Sequence, residues 1–352
     1  MKMSIPSEVI TEIRALLDRE KEHGTACFLL STTARQGRRD ALRVTGVFSH
    51  QDLRVVHAVV HDWSTAEAVV KQVDGVVPYI GLDCEMKEDF GGKSLLGLTS
   101  RIRQSEVLHL KPNDLTADGV LALLLCEFGN ALIQKRILII GVGNVGAKIA
   151  QRLVEIGCQA HCYRRNKQVA QWICQGINAV KPSFCAGNAE PVDSKQIQGT
   201  WDIVLVCTPG TIGFTFQDLA WVAPDGLVID VGIGTLEPQA LQGQHDGQTQ
   251  VRFHRFDTAS AILAHLKLAL ATRDQKTRMG RCEMDGIAFV SGGYIGKAGD
   301  VVVDNVNAPH FVLGQCDGKG GVTALTLEQK THYESVLRRS PCCGIAKETE
   351  LK

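Results

Sequence analysis

The run Gly141-Val142-Gly143-Asn144-Val145-Gly146 spaces three glycines as G-x-G-x-x-G, and each position has a physical task. The first glycine permits a tight turn, the second lets backbone approach a pyrophosphate, and the third lets a helix pack closely on the preceding strand. The pattern alone also occurs as a plain structural turn, so its surroundings decide. Here Arg136-Ile137-Leu138-Ile139-Ile140 supplies a buried strand before it and residues 145–157 a helix after it. Asn144, Val145 and Gly146 open that helix, whose free N–H groups and partial positive charge suit phosphate oxygens.

A site of this kind that prefers NAD carries an Asp or Glu roughly 20 residues on, where the second strand ends and the ribose hydroxyls lie. In this chain the strand ends Cys162-Tyr163-Arg164-Arg165-Asn166, without a carboxylate. Two guanidiniums grip a 2′-phosphate through charge-assisted hydrogen bonds, so NADP is the expected cofactor. The alternative is that Arg164 and Arg165 are a solvated strand end. Thr208 and Pro209 close a later strand, and Gly232 and Ile233 close the next. Both pairs stand at carboxyl ends of strands, where open α/β sheets bind ligands, and complete the cofactor set.

Other chemistry is sparser. Asp114 and Asp118 begin a helix beside the expected cleft, where Asn and Asp also serve as caps, and Lys93 sits in a glycine-rich loop. The 11 histidines show no H-E-x-x-H and the 12 cysteines no C-x-x-C, so no metal is expected. Cys158 and Cys162 flank a strand as core residues, and Cys342-Cys343 reads as a tail feature.

The elements that must position these groups follow from periodicity. Residues 6–23 carry a helical stripe; 27–32, 41–48 and 53–60 are short apolar runs separated by polar turns such as Arg35-Gln36-Gly37, of lengths that permit hairpins. A helix over 64–73 and a strand over 76–81 follow, residues 83–105 read as loop, and a connecting helix covers 117–132. From 136 the pattern alternates: strands at 136–141, 159–163, 202–207 and 226–231, helices at 145–157, 167–176 and 215–222, and a further helix at 258–272. Such alternation predicts a parallel sheet wound by helices. The expected class is α/β, a Rossmann-type doubly wound parallel sheet plus a separate α/β N-terminal domain. Its division is 1–125 for substrate and catalysis, 126–330 for the nucleotide with an insertion at 238–298, and a tail at 331–352. At 352 residues, 44% hydrophobic and 22% charged, the chain has material for two cores. With 38 basic and 38 acidic residues there is no global field for nucleic acid or an anionic membrane, so a small molecule is the expected partner. Residues 1–20 lack the apolar stretch of a signal peptide, and the runs at 120–126 and 137–142 are too short to span a bilayer. A cytoplasmic homodimer is expected.

Several segments in order resemble the methylenetetrahydrofolate dehydrogenase/cyclohydrolase family. Thr116-Ala117-Asp118-Gly119-Val120-Leu121-Ala122-Leu123-Leu124 is similar to its Thr-Pro-x-Gly-x-x-x-Leu-Leu helix start, and Val228-Ile229-Asp230-Val231-Gly232-Ile233 to its strand of the same wording. Pro209-Gly210 stands where the family has Gly-x-Pro-Gly; Gly299-Asp300-Val301-Val302 and Gly320-Gly321-Val322 resemble its C-terminal elements. The likeness covers roughly 116–326 and implies a two-domain NADP-dependent dehydrogenase acting on a one-carbon folate. It also implies a catalytic Lys on a first-domain helix, matched by Lys71 in Ser64-x-x-Glu67-x-x-x-Lys71, with Glu67 where the family has Tyr. Lys71, Glu67 and Asp118 are therefore the catalytic candidates, although Glu67 and Lys71 at i, i+4 would also make an ordinary exposed ion pair worth about 0.2–0.5 kcal/mol. The family's Val-Gln-Leu-Pro-Leu-Pro is absent, and Asp317-Gly318-Lys319-Gly320-Gly321-Val322 replaces its Pro-Val-Pro-Gly-Gly-Val. Tyr163-Arg164-Arg165 is similar to the Asn-Arg-Thr of shikimate dehydrogenases. Two other readings stay open: a shikimate-dehydrogenase-like or imine-reducing enzyme, and a non-catalytic NADP-sensing protein.

Overall fold

The computed structural model describes residues 7–33, 40–88, 90–193, 196–245 and 250–339. The turn at Arg35-Gln36-Gly37 and the Cys342-Cys343 pair lie outside the described residues. The chain forms two compact units, Met1–Leu266 and Lys267–Lys352.

The first unit holds two sheets. Helix α1 (Ser7–Lys21) precedes β1 (Thr25–Ser31), β2 (Leu42–His50) and β3 (Leu53–Val60), followed by α2 (Trp63–Val73), β4 (Tyr79–Asp83) and β5 (Glu106–Leu110). Their order is β2-β3-β1-β4-β5, antiparallel between β2 and β3 and parallel elsewhere. Of the hairpins the turn lengths permit, β2 and β3 form one, whereas β1 does not pair with β2 and inserts between β3 and β4. Phe28, Leu30, Val56, Ala58 and Ile80 on one face pack with Ile13 and Leu17 of α1 and Val69 and Val73 of α2. Leu29 and Val55 on the other face are also buried, which is how parallel strands covered on both faces become continuous apolar runs. Asp62 caps α2 by accepting from the Thr65 N–H at 2.8 Å. The stretch expected as loop holds a 3-10 turn (Leu95–Arg101), and β5, which the sequence pattern does not mark, begins directly after it: the Asp74 carboxylate accepts the backbone N–H groups of Arg103, Gln104 and Ser105 and turns the chain into β5.

Helix α3 (Pro112–Phe128) and a 3-10 turn (Gly129–Gln134) lead into the second sheet. Over Pro112–Gln134 this is the one helix among the described residues long and apolar enough to cross a membrane, by length and composition only; its Val120 and Leu124 belong to the same core as Ile149 and Leu153 of the nucleotide half. Then come β6 (Ile137–Ile140), α4 (Asn144–Glu155), β7 (Gln159–Tyr163), α5 (Lys167–Val180), β8 (Asn188–Val192), β9 (Trp201–Val206), β10 (Val222–Asp230), α6 (Pro238–His245) and β11 (Arg252–Arg255). All strands are parallel in the order β11-β10-β9-β6-β7-β8, the doubly wound Rossmann arrangement with its switch point between β6 and β9. Two strands of this sheet, β8 and β11, escape the sequence pattern, β11 falling inside the expected insertion.

Helix α7 (Ala259–Arg278) leads into the second unit, which holds β12 (Gly280–Met284), β13 (Ile287–Ser291), β14 (Val301–Val303), β15 (Val312–Cys316), β16 (Val322–Thr323) and α8 (Leu327–Arg339). The strands pair in sequence order as a separate mixed sheet. This corrects the expected 126–330 nucleotide domain, whose sheet ends at Arg255, and the expected tail, whose first residues complete α8. The two glycine elements of the folate-dehydrogenase likeness belong to β14 and β16, outside the nucleotide sheet.

Candidate functional site

The glycine turn sits at the carboxyl end of β6, beside the switch point. The Gly141 and Val142 N–H groups both donate to the Tyr163 carbonyl, and Gly141 has φ +92°, open to glycine without strain. A Cβ at Gly146 would lie 2.6 Å from the Gly141 carbonyl oxygen, so the third glycine is required for close packing. A Cβ at Gly143 would meet nothing within 4 Å; the space above the second glycine is free, as an approaching pyrophosphate needs. No side chain caps α4, which leaves its first-turn N–H groups for a ligand.

Above this turn opens a cavity of about 730 Å³ lined by Gly141, Gly143, Arg164, Arg165, Thr208 and Pro209, together with Tyr163, Asn166, Cys207 and residues 211–213. The remaining expected cofactor residues, Asn144, Val145, Gly146, Gly232 and Ile233, are not in its lining. The arginines differ. Arg164 Nη1 donates to the Val142 carbonyl at 2.9 Å and so braces the glycine turn, whereas Arg165 is exposed at the rim. Asn166 caps α5 by accepting from the Val169 N–H. Opposite, Thr208 Oγ1 donates to the Thr211 carbonyl, and buried Asp230 accepts from the Gly234 N–H and Thr235 Oγ1. Asp230 thereby fixes the turn in which Ile233 holds φ +61°. A Cβ at Gly232 would overlap the Thr208 carbonyl. Burial and the nearby Asp230 charge push the Cys207 thiol up to about 12, so it stays protonated and is no nucleophile. Cavity size and free phosphate-facing amides fit a dinucleotide.

The catalytic candidates lie elsewhere. Lys71 is exposed on α2, whose buried side is formed by Thr65, Ala66, Val69 and Val70. Glu67 pairs with Arg101 at 3.1 Å, and Asp118 pairs with Arg152 at the surface. Lys93 lies over the Trp63 ring. Neither Lys71 nor Glu67 is brought to the cavity.

What the sequence reading missed is an ion-pair network at the carboxyl ends of β4 and β5. Lys148 of α4, two residues past the glycine turn, meets Glu85 at 3.3 Å and Asp114 as well. Glu85 accepts the Asn113 N–H at 2.8 Å and lies 3.5 Å from Lys87, whose Nζ is 2.7 Å from the fully buried Asp83. Charged side chains thus run from the phosphate-binding helix into the first sheet. The available signal was the cluster Asp83, Glu85, Lys87 and Glu88 directly after an apolar strand. On the same sheet, His57 Nε2 lies 2.7 Å from Ser31 Oγ and its Nδ1 2.7 Å from Thr45 Oγ1. Burial and the Lys87 charge push His57 down to about 4, so its imidazole is neutral.

No curated protein matches the chain. Among solved structures it is similar to L-tryptophan dehydrogenase from Nostoc punctiforme, 13% identical over 70% of this chain and 74% of that one with a TM-score of 0.42. It is also similar to the dipicolinate synthase A chain from Bacillus subtilis, 14% identical over 71% and 79% with a TM-score of 0.36. At these values neither likeness bears on function. Residues 137–212, which carry the glycine turn, both arginines and the Thr208 loop, match the family model of ketopantoate reductase PanE/ApbA.

Proposed function

We propose that the chain is an NADP-dependent oxidoreductase that passes a hydride to or from a small molecule held between the carboxyl ends of the first sheet and the nucleotide cavity. The observation that carries this reading is the exposed Arg165 on the rim of a cavity floored by the glycine turn, with no carboxylate in its lining. A guanidinium there binds a 2′-phosphate and an Asp or Glu would repel it. The match of residues 137–212 to a reductase family supports the same chemistry. Bound NADP supplies or accepts the hydride; the chain's residues orient the dinucleotide and exclude water around it.

The folate-dehydrogenase likeness is retained for Val228–Asp230 and the turn after it, but a folate substrate lacks its first-domain support because Lys71 is exposed. The proposed setting is a cytoplasmic homodimer. Calorimetric titration with NADPH and NADH tests the reading: NADPH binds more tightly, and equal or tighter binding of NADH overturns it.

A further inference from the structure

We propose that the loop after β4 builds a two-pair acid–base site, His61 held by Glu88 and Lys87 held by Asp83, that binds the carbonyl group of a small substrate and moves the proton accompanying hydride transfer. The proposal rests on the oxidoreductase reading above.

Glu88 Oε1 lies 2.8 Å from His61 Nδ1, with side chains 9% and 13% exposed. With Nδ1 engaged, Nε2 makes no hydrogen bond to any described residue, which fixes one nitrogen and leaves the other for chemistry. Asp83 is held in place: it accepts from the Thr32 N–H and Oγ1 and from the Glu85 N–H, and its side chain is wholly buried. Lys87 meets two carboxylates, Asp83 and Glu85; an ammonium has three N–H donors, so one is left for an incoming oxygen.

Lys87 and Glu88 are consecutive, yet their partners stand on β4 and just past β3, with β1 between those strands. Strands lie about 4.8 Å apart, which separates the two ends by about 10 Å. Between them β1 ends at Ser31, followed by Thr32. Carboxyl ends of parallel strands are where such sheets bind ligands. Buried ion pairs contribute little net stability against apolar packing, so two of them on adjacent residues here call for a chemical use. Glu85 connects Lys87 to Lys148 of the phosphate-binding helix, which ties this site to the cofactor.

The chemistry balances in the reducing direction. The carbonyl carbon receives the hydride, its π electrons pass to oxygen, the oxygen takes the proton from Nε2 of protonated His61 while Lys87 holds it, and the product is an alcohol. His61 regains a proton from water.

The test uses the full chain with NADPH and a panel of aldehydes, ketones, 2-oxo acids and 3-oxo acids. The wild type oxidises NADPH with at least one of them. His61→Asn and Lys87→Met each lower kcat about 100-fold or more, the size of a general acid's contribution, with NADPH affinity unchanged. Lys87→Arg, which keeps the charge beside Asp83 and so the fold, loses at least about tenfold in kcat. Glu88→Gln, which changes a positioning residue, lowers kcat and leaves KM. Independently of turnover, diethyl pyrocarbonate modifies His61 in the wild type, as its free Nε2 requires. Tight NADPH binding with no turnover of the panel, variants that retain kcat, or an unreactive His61 overturn this inference alone; failure to bind NADPH overturns the oxidoreductase reading beneath it.

Discussion

Replacing the two arginines one at a time separates bracing from phosphate reading. Arg165 is exposed at the cavity rim, whereas Arg164 already spends Nη1 on the Val142 carbonyl. A charge-assisted hydrogen bond contributes about 1.5–3 kcal/mol, and about 1.4 kcal/mol is tenfold in affinity. Arg165→Ala therefore weakens NADPH by about 10- to 150-fold. NADH, lacking the 2′-phosphate, is unaffected to within about twofold, less than 0.5 kcal/mol. Because Arg165 is exposed, salt screens its contribution, so the loss sits near the lower end and shrinks as ionic strength rises. Arg164→Ala removes a neutral-acceptor bond of about 0.5–1.5 kcal/mol that shapes the turn, and both cofactors weaken together by about 2- to 12-fold. Cofactor fluorescence is titrated for both variants with NADPH and NADH at two salt concentrations. Equal weakening of both cofactors by Arg165→Ala, or selective loss of NADPH in Arg164→Ala, refutes the division of labour.

Gly143→Val adds carbons where no protein atom lies within 4 Å; melting stays within about 1 kcal/mol of wild type while binding of both cofactors, read by calorimetry, is lost because the side chain fills the pyrophosphate's space. His57 is held neutral, its pKa lowered from 6.5 to about 4 by burial and then by the Lys87 charge. Below pH 6.5 the unfolded chain protonates this residue and the folded one does not, so stability present above 6.5 falls by about 3 kcal/mol as pH drops to 4. Urea denaturation across this window shows a shallower decline for His57→Gln. Lys148→Met leaves Glu85, 9% exposed in its side chain, without one of its cations and costs about 1–3 kcal/mol, measured as a lower urea midpoint.

The nucleotide half was legible because its signals are local. Gly141 to Gly146 and the four buried residues Ile137–Ile140 lie side by side in sequence, and the glycine spacing carries its own geometry. Strand β7 falls on the expected residues, and helix α5 starts where expected but continues past Gly176 to Val180. Strand β8 was hidden because Asn188–Val192 includes Glu190 and Pro191 and is an edge strand with exposed positions. Strand β11 was hidden because Arg252–Arg255 has no apolar pattern beyond Phe253. The first sheet was half legible: β3 was placed to the residue, but the insertion of β1 between β3 and β4 is a pairing between distant segments that periodicity does not encode. The same limit kept the proposed acid–base pairs out of reach of the sequence. Lys71 was chosen by family spacing on a helix, while the pairs of His61 with Glu88 and Lys87 with Asp83 depend on three strand ends meeting in space. The second unit went unread because its strands are short and mixed, and β14 and β16 imitate glycine elements of another family.

The central claim is that the cavity above the glycine turn holds NADP with its 2′-phosphate on Arg165. An electron-density map of the protein with NADP bound tests it directly. The account predicts the pyrophosphate over Gly143 and the first turn of α4, with the 2′-phosphate within hydrogen-bond distance of the Arg165 guanidinium. A dinucleotide bound elsewhere, or one whose adenosine ribose faces away from Arg165, contradicts it.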